Sequence, residues 1–81
     1  MKPPGQATVT LYVVPDCPLC ALARAWLSEH DISYRERDVA NNFSALRRMY
    51  ELTRQRLVPV FEVDGRALVR PNDEALADWL L

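Results

Sequence analysis

An α/β domain in the order β-α-β-α-β-β-α, with a four-stranded mixed sheet and helices on both faces, is the fold class this sequence predicts. Three observations carry that prediction. An apolar, β-branched run at 7–14 leads directly into a helical repeat that opens with Cys17-Pro18-Leu19-Cys20. A second strand-like stretch precedes an asparagine-capped helix. Two further β-type runs flank Asp64-Gly65, the strongest short hairpin signal, because a two-residue type I′ turn needs φ > 0 at both positions.

Each element has its own local cause. The run Ala-Thr-Val-Thr-Leu-Tyr-Val-Val at 7–14 suits a strand covered on both faces. From Pro18 to His30, the residues Leu19, Leu22, Ala23, Trp26, Leu27 and His30 recur at helical spacing and predict the inward stripe, with Arg24, Ser28 and Glu29 opposite. His30, in the last turn, reads as a capping or partly solvated residue rather than a general base. Residues 32–39 alternate like an edge strand, so strand, helix and strand form a right-handed parallel unit. Asn41 or Asn42 is expected to cap a helix reaching Thr53, with Phe43, Leu46, Tyr50 and Thr53 inward and Met49 beside them. Arg47, Arg48, Arg54 and Arg56 are expected to make a solvated face. Pro59 lacks a ladder donor and belongs at a strand start, and the Val58-Pro59 bond is the kind of peptide bond in which cis costs little, although an ordinary strand-start proline fits the same position. Asn72 caps a last helix with Leu76, Trp79 and Leu80 inward, and Trp26 and Trp79 read as core.

Only two cysteines occur, and both lie in Val14-Pro15-Asp16-Cys17-Pro18-Leu19-Cys20. Pro18 fits the first helical position, where its missing N–H costs nothing, which makes Cys17 the N-cap. The sulfur then faces the free N–H groups of Leu19 and Cys20 at the positive end of the helix dipole. A stabilisation of about 2 kcal/mol there turns a minor thiolate fraction into a major one at neutral pH. Two other uses of the pair stay open. A staple disulfide closing so short a loop stabilises by only about 2 kcal/mol, against about 4.7 for a loop of 100 residues. A zinc half-site needs two more ligands, and His30 sits at the far end of the same helix.

The chain of 81 residues is one domain, of which about 60% of the unfolded surface becomes buried. Hydrophobic residues make up 49% and charged residues 26%, which is globular rather than disordered composition. With net charge −1 there is no electrostatic reason to expect nucleic acid or an anionic membrane as partner. Residues 1–6 hold two prolines and a glycine and are expected to form a flexible arm, leaving 7–81 as the folded domain. No segment approaches the roughly 20 apolar residues that span a bilayer, and no signal-like run begins the chain. A monomeric cytoplasmic protein is expected, and in a reducing compartment a lone cysteine pair is more often catalytic than structural.

Tyr12, the Pro15-Asp16-Cys17-Pro18-Leu19-Cys20 stretch, Val58-Pro59 and Asp64-Gly65 together resemble the glutaredoxin branch of the thioredoxin-like fold over residues 7–81. The resemblance implies a thiol-disulfide oxidoreductase in which Cys17 attacks and Cys20 resolves. It also implies that Leu57, Val58 and Pro59 contact substrate in a cis-proline loop, with Arg56 and Arg70 as further substrate contacts and Pro15 and Pro18 as structural helpers. No resident metal or organic cofactor is implied. Members that use glutathione usually have lysine where this chain has Val14, tyrosine at Leu19, threonine at Leu57 and a glycine pair at Val69-Arg70. Bulky side chains obstruct the close approach that glycine permits, although Arg54, Arg56 and Arg70 are available to carboxylates. Arg70-Pro71 resembles the small redoxins recharged by thioredoxin reductase, so glutathione or a flavoprotein reductase is the expected electron donor and a protein disulfide the expected substrate. Two other classes fit the same fold: a module holding a metal or a [2Fe–2S] cluster through Cys17 and external thiols, and a non-catalytic adaptor.

Overall fold

A computed structural model of the chain describes residues 8–81. The predicted N-terminal arm, 1–6, lies outside the described residues, as does Ala7 at the predicted start of the first strand. The elements are β1 (Val9–Val13), α1 (Pro18–Glu29), β2 (Tyr34–Asp38), α2 (Phe43–Thr53), β3 (Val60–Val63), β4 (Arg66–Val69) and α3 (Asp73–Leu80). Their order in the sheet is β2-β1-β3-β4. β1 runs parallel to β2 and antiparallel to β3, and β3 and β4 form the antiparallel hairpin. β2 is therefore an edge strand, as its alternation predicts. Asp64 and Gly65 have φ of 53° and 78°, the two positive values that the Asp-Gly signal requires.

β1 is the buried centre of the sheet, with Leu11 and Tyr12 almost fully covered from opposite faces. Phe61 lines a cleft with Trp26 of α1 and Leu76 of α3, so these two helices share one face. On the other face Arg48 of α2 reaches Glu62 of β3 at 2.8 Å, and Tyr12 donates its hydroxyl hydrogen to the same carboxylate. Arg48 is exposed, as expected of the solvated face, and is paired as well.

Both predicted helix stripes are rotated in the structure. In α1 the buried residues are Cys20, Ala23, Trp26 and Leu27, whereas Leu19 and Leu22 are 45% and 66% exposed. In α2 the buried pair is Ala45 and Met49, whereas Phe43 is 75% and Tyr50 42% exposed. At 100° per residue Phe43, Arg47, Tyr50 and Arg54 fall within about 60° of one another, opposite Ala45, Met49 and Leu52. The two apolar sets are on different sides, and the sheet can cover only one. Small Ala45 is the residue that lets the backbone sit against it.

β2 starts at Tyr34 rather than Ile32 because the end of α1 occupies the intervening residues. Asp31 N–H donates to Ser28 O at 3.2 Å and Ile32 N–H to Leu27 O at 3.0 Å, with Asp31 at φ 54°. That is a Schellman motif with aspartate where glycine is preferred. Asp31→Gly removes the left-handed penalty at the cost of chain entropy, and is expected to gain about 0.5 kcal/mol, or about 2–4 °C in Tm. A thermal scan that shows a lower Tm would mean that the aspartate side chain contributes more than its backbone conformation costs.

Candidate functional site

Strand β1 ends at the carboxyl edge of the sheet, and a turn through Pro15 and Asp16, the latter at φ 56°, delivers Cys17 to the start of α1. Cys17 is the N-cap and Pro18 the first helical residue, as predicted. Its sulfur accepts a hydrogen bond from Cys20 N–H at 3.1 Å. Both cysteines are free thiols, Cys17 half-buried and Cys20 buried.

The electrostatics separate the two sulfurs. Desolvation opposes ionisation of Cys17, yet its pKa is lowered, by the thiol of Cys20, the N–H groups of Cys20 and Leu19, and the charge of Arg70. For Cys20 desolvation raises the pKa, the Cys17 sulfur adds to it, and the N–H of Val14 and the charge of Arg24 only partly offset this. The outer sulfur is thus the easier thiolate and the inner one its hydrogen-bond donor.

Val58-Pro59 is a cis peptide bond, as expected. Arg70 ties it to the sheet: its N–H donates to Pro59 O at 3.0 Å and its Nε to Val58 O at 2.7 Å. Beside the first turns of α1 lies a cleft of about 150 Å³ lined by Leu19, Leu22, Trp26, Pro59, Arg70 and Pro71, among others. Leu57 is exposed just before the loop. Arg70 is therefore brought to the sulfur pair. Arg56 instead lies 6.0 Å from the ring centre of Tyr50, and Arg54 is the C-cap of α2.

Pro15 lines a second cleft with Val13, Val14, Arg24, Glu36 and Asp38. Arg24, one turn after Cys20, is held by Glu36 of β2 at 2.6 Å. The sequence reading placed Arg24 merely on the outer side of α1. Its spacing of four from Cys20 was the available signal. Leu22, expected inward, is exposed and lines the first cleft, which Trp26 also borders while remaining part of the core as expected. At the opposite end of α1, His30 Nδ1 is 2.8 Å from Trp26 O, and its ring stacks on Trp26 at 4.1 Å, which fits the capping role. Among the described residues no three His, Cys, Asp or Glu side chains gather as a metal site, and no helix is long and apolar enough to cross a membrane.

A vicinal thiol pair at a helix N-terminus, facing a cis-proline loop on a four-stranded mixed sheet, defines a thioredoxin-fold dithiol protein. The glutaredoxin family model matches residues 9–68, and the chain belongs to that family. A single-residue variant of the thioredoxin-like protein BC3987 superposes with a TM-score of 0.83 at 26% identity, covering 90% of this chain and 99% of that one. A glutaredoxin from Archaeoglobus fulgidus shares the fold with a TM-score of 0.79 at 18% identity, over 91% of this chain and 86% of that one. In sequence, the global transcriptional regulator Spx of Listeria innocua is 48% identical over 46 residues, which are 57% of this chain and 35% of that protein. The Spx of Staphylococcus aureus is 55% identical over 31 residues, 38% of this chain and 24% of that protein. The match spans about a quarter to a third of the length of these curated relatives.

Proposed function

We propose that the protein is a dithiol oxidoreductase that reduces disulfides of other proteins. The Cys17 thiolate attacks one sulfur of the substrate disulfide; that S–S bond breaks, its other sulfur leaves as a thiolate and takes a proton from solvent, and a mixed disulfide joins Cys17 to the substrate. Cys20 then loses its proton and attacks Cys17, which releases the second substrate thiol and leaves a Cys17–Cys20 disulfide. Two electrons have moved to the substrate, and glutathione or a flavoprotein reductase returns them. Neither donor calls for a bound cofactor. The cleft lined by Leu19, Leu22, Pro59 and Arg70 supports substrate contact by Pro59 and Arg70. The observation that carries this reading is the paired donation to the Cys17 sulfur by the Cys20 backbone and thiol.

Removal of the resolving thiol tests it. Cys20→Ser is expected to accumulate a Cys17 mixed disulfide with a small disulfide such as oxidised glutathione or hydroxyethyl disulfide, seen as one adduct by intact mass. Absence of any adduct overturns the two-cysteine mechanism. A second reading is favoured by the sequence relatives named as transcriptional regulators: the same pair acts as a redox-responsive switch that oxidises once per molecule. Multiple turnovers of substrate with a reductant present support the enzyme; a single stoichiometric oxidation supports the switch.

A further inference from the structure

The exposed face of α2 has no part in the sulfur chemistry. Phe43 and Tyr50 stand 75% and 42% exposed there, one large and one amphipathic ring on a helix whose buried side is complete without them. Arginines cover both rings. The Arg47 guanidinium lies 5.7 Å from the Phe43 ring centre and that of Arg56 lies 6.0 Å from the Tyr50 ring centre. Such stacking holds each guanidinium in place while leaving its N–H donors free. Among the described residues the ion pairs are Arg24–Glu36 and Arg48–Glu62, so Arg47, Arg54 and Arg56 are not engaged in one. Solvent-facing aromatic and arginine side chains in one patch have the composition of binding hot spots.

We propose that this face, built by Phe43, Arg47, Tyr50 and Arg56, docks an acidic segment of another protein that carries aromatic or leucine side chains between its carboxylates. Carboxylates meet the fixed guanidinium forks, and an apolar side chain between them dries the two rings. A nucleic acid fits the whole molecule less well. Its net charge of −1 gives no overall attraction for a long polyanionic backbone, whereas a short acidic segment needs only the local guanidinium groups.

The test uses the full ¹⁵N-labelled chain and an acetylated, amidated dodecapeptide of the repeat Glu-Glu-Tyr. Amide shifts at Phe43, Arg47, Tyr50 and Arg56 that fade with added salt are the expected result. Binding of the repeats Gln-Gln-Tyr and Glu-Glu-Ser should each be about tenfold weaker, since one lacks the charge and the other the ring. The double variant Arg47→Gln/Arg56→Gln, whose side chains are solvent-facing, should keep its Tm and lose the shifts. Phe43→Ser should weaken them, and Cys17→Ser should leave them intact, which separates this surface from the redox reading. No shifts, shifts unchanged in the double variant, or stronger shifts of the same amides by oligothymidylate would each overturn the proposal.

Discussion

Limiting iodoacetamide at neutral pH is expected to label Cys17 at least about tenfold faster than Cys20, because the thiolate reacts and the two sulfurs are driven in opposite directions. Burial works against the charge on both. At Cys17 it is outweighed by the Cys20 thiol, the N–H groups of Cys20 and Leu19, and Arg70; at Cys20 it prevails. Alkylation of Cys17 should therefore reach its half-maximal rate at a pH below that of a free thiol. Arg70→Met removes a positive charge that favours the thiolate, so the midpoint should move upward and the rate near neutrality should fall several-fold. Arg70→Lys keeps the charge and should hold the midpoint close to that of the parent. Peptide mapping after labelling, repeated across pH, reads both results. Faster labelling of Cys20 would reverse the assigned roles, and an unmoved midpoint in Arg70→Met would remove Arg70 from the electrostatics of the site. Cys17→Ser is expected to abolish disulfide reduction altogether.

The second large effect belongs to the charge network beneath α2. Burial alone would raise the pKa of Glu62, yet it is lowered, by the hydrogen bonds from Arg48 and Tyr12 and by the charges of Arg48 and Arg37. Tyr12 is pushed up to about 12 by burial and by its bond to Glu62, and so remains a hydroxyl donor at ordinary pH. A carboxylate with a depressed folded pKa contributes stability that is fully present above its unfolded value, about 4.3, and is lost as pH falls through the folded value. Glu62→Gln should accordingly cost about 1–3 kcal/mol near pH 7, since it weakens two hydrogen bonds to a largely covered charge. In a domain of this size each kcal/mol is about 4–8 °C in Tm. The Tm curves of the two proteins should converge as pH drops below about 4. Parallel curves from pH 7 down to pH 3 would show that the ionised form of Glu62 gives no net stability.

What the sequence by itself determined is everything set by near neighbours along the chain. Cys17, Asn42 and Asn72 cap α1, α2 and α3 because each side chain needs only the N–H three residues on. Asp64-Gly65 places β3 beside β4, and the motif at Cys17 was legible as a thiolate site for the same local reason. Tertiary structure decided which side of each helix is covered. Leu19 and Leu22, like Phe43 and Tyr50, are apolar at helical spacing, so periodicity counts them inward. The sheet instead covers Cys20 and Leu27 in α1, and Ala45 and Met49 in α2. Pairings distant along the chain were equally hidden: Tyr12 meets Glu62 only because β1 lies beside β3, and Arg48 joins them only because α2 crosses that face. Arg70 reaches the site by register. Val60 faces Val69 in the β3–β4 hairpin, so the residue just after β4 meets Pro59, and its guanidinium arrives beside a sulfur that lies fifty-three residues earlier in the chain.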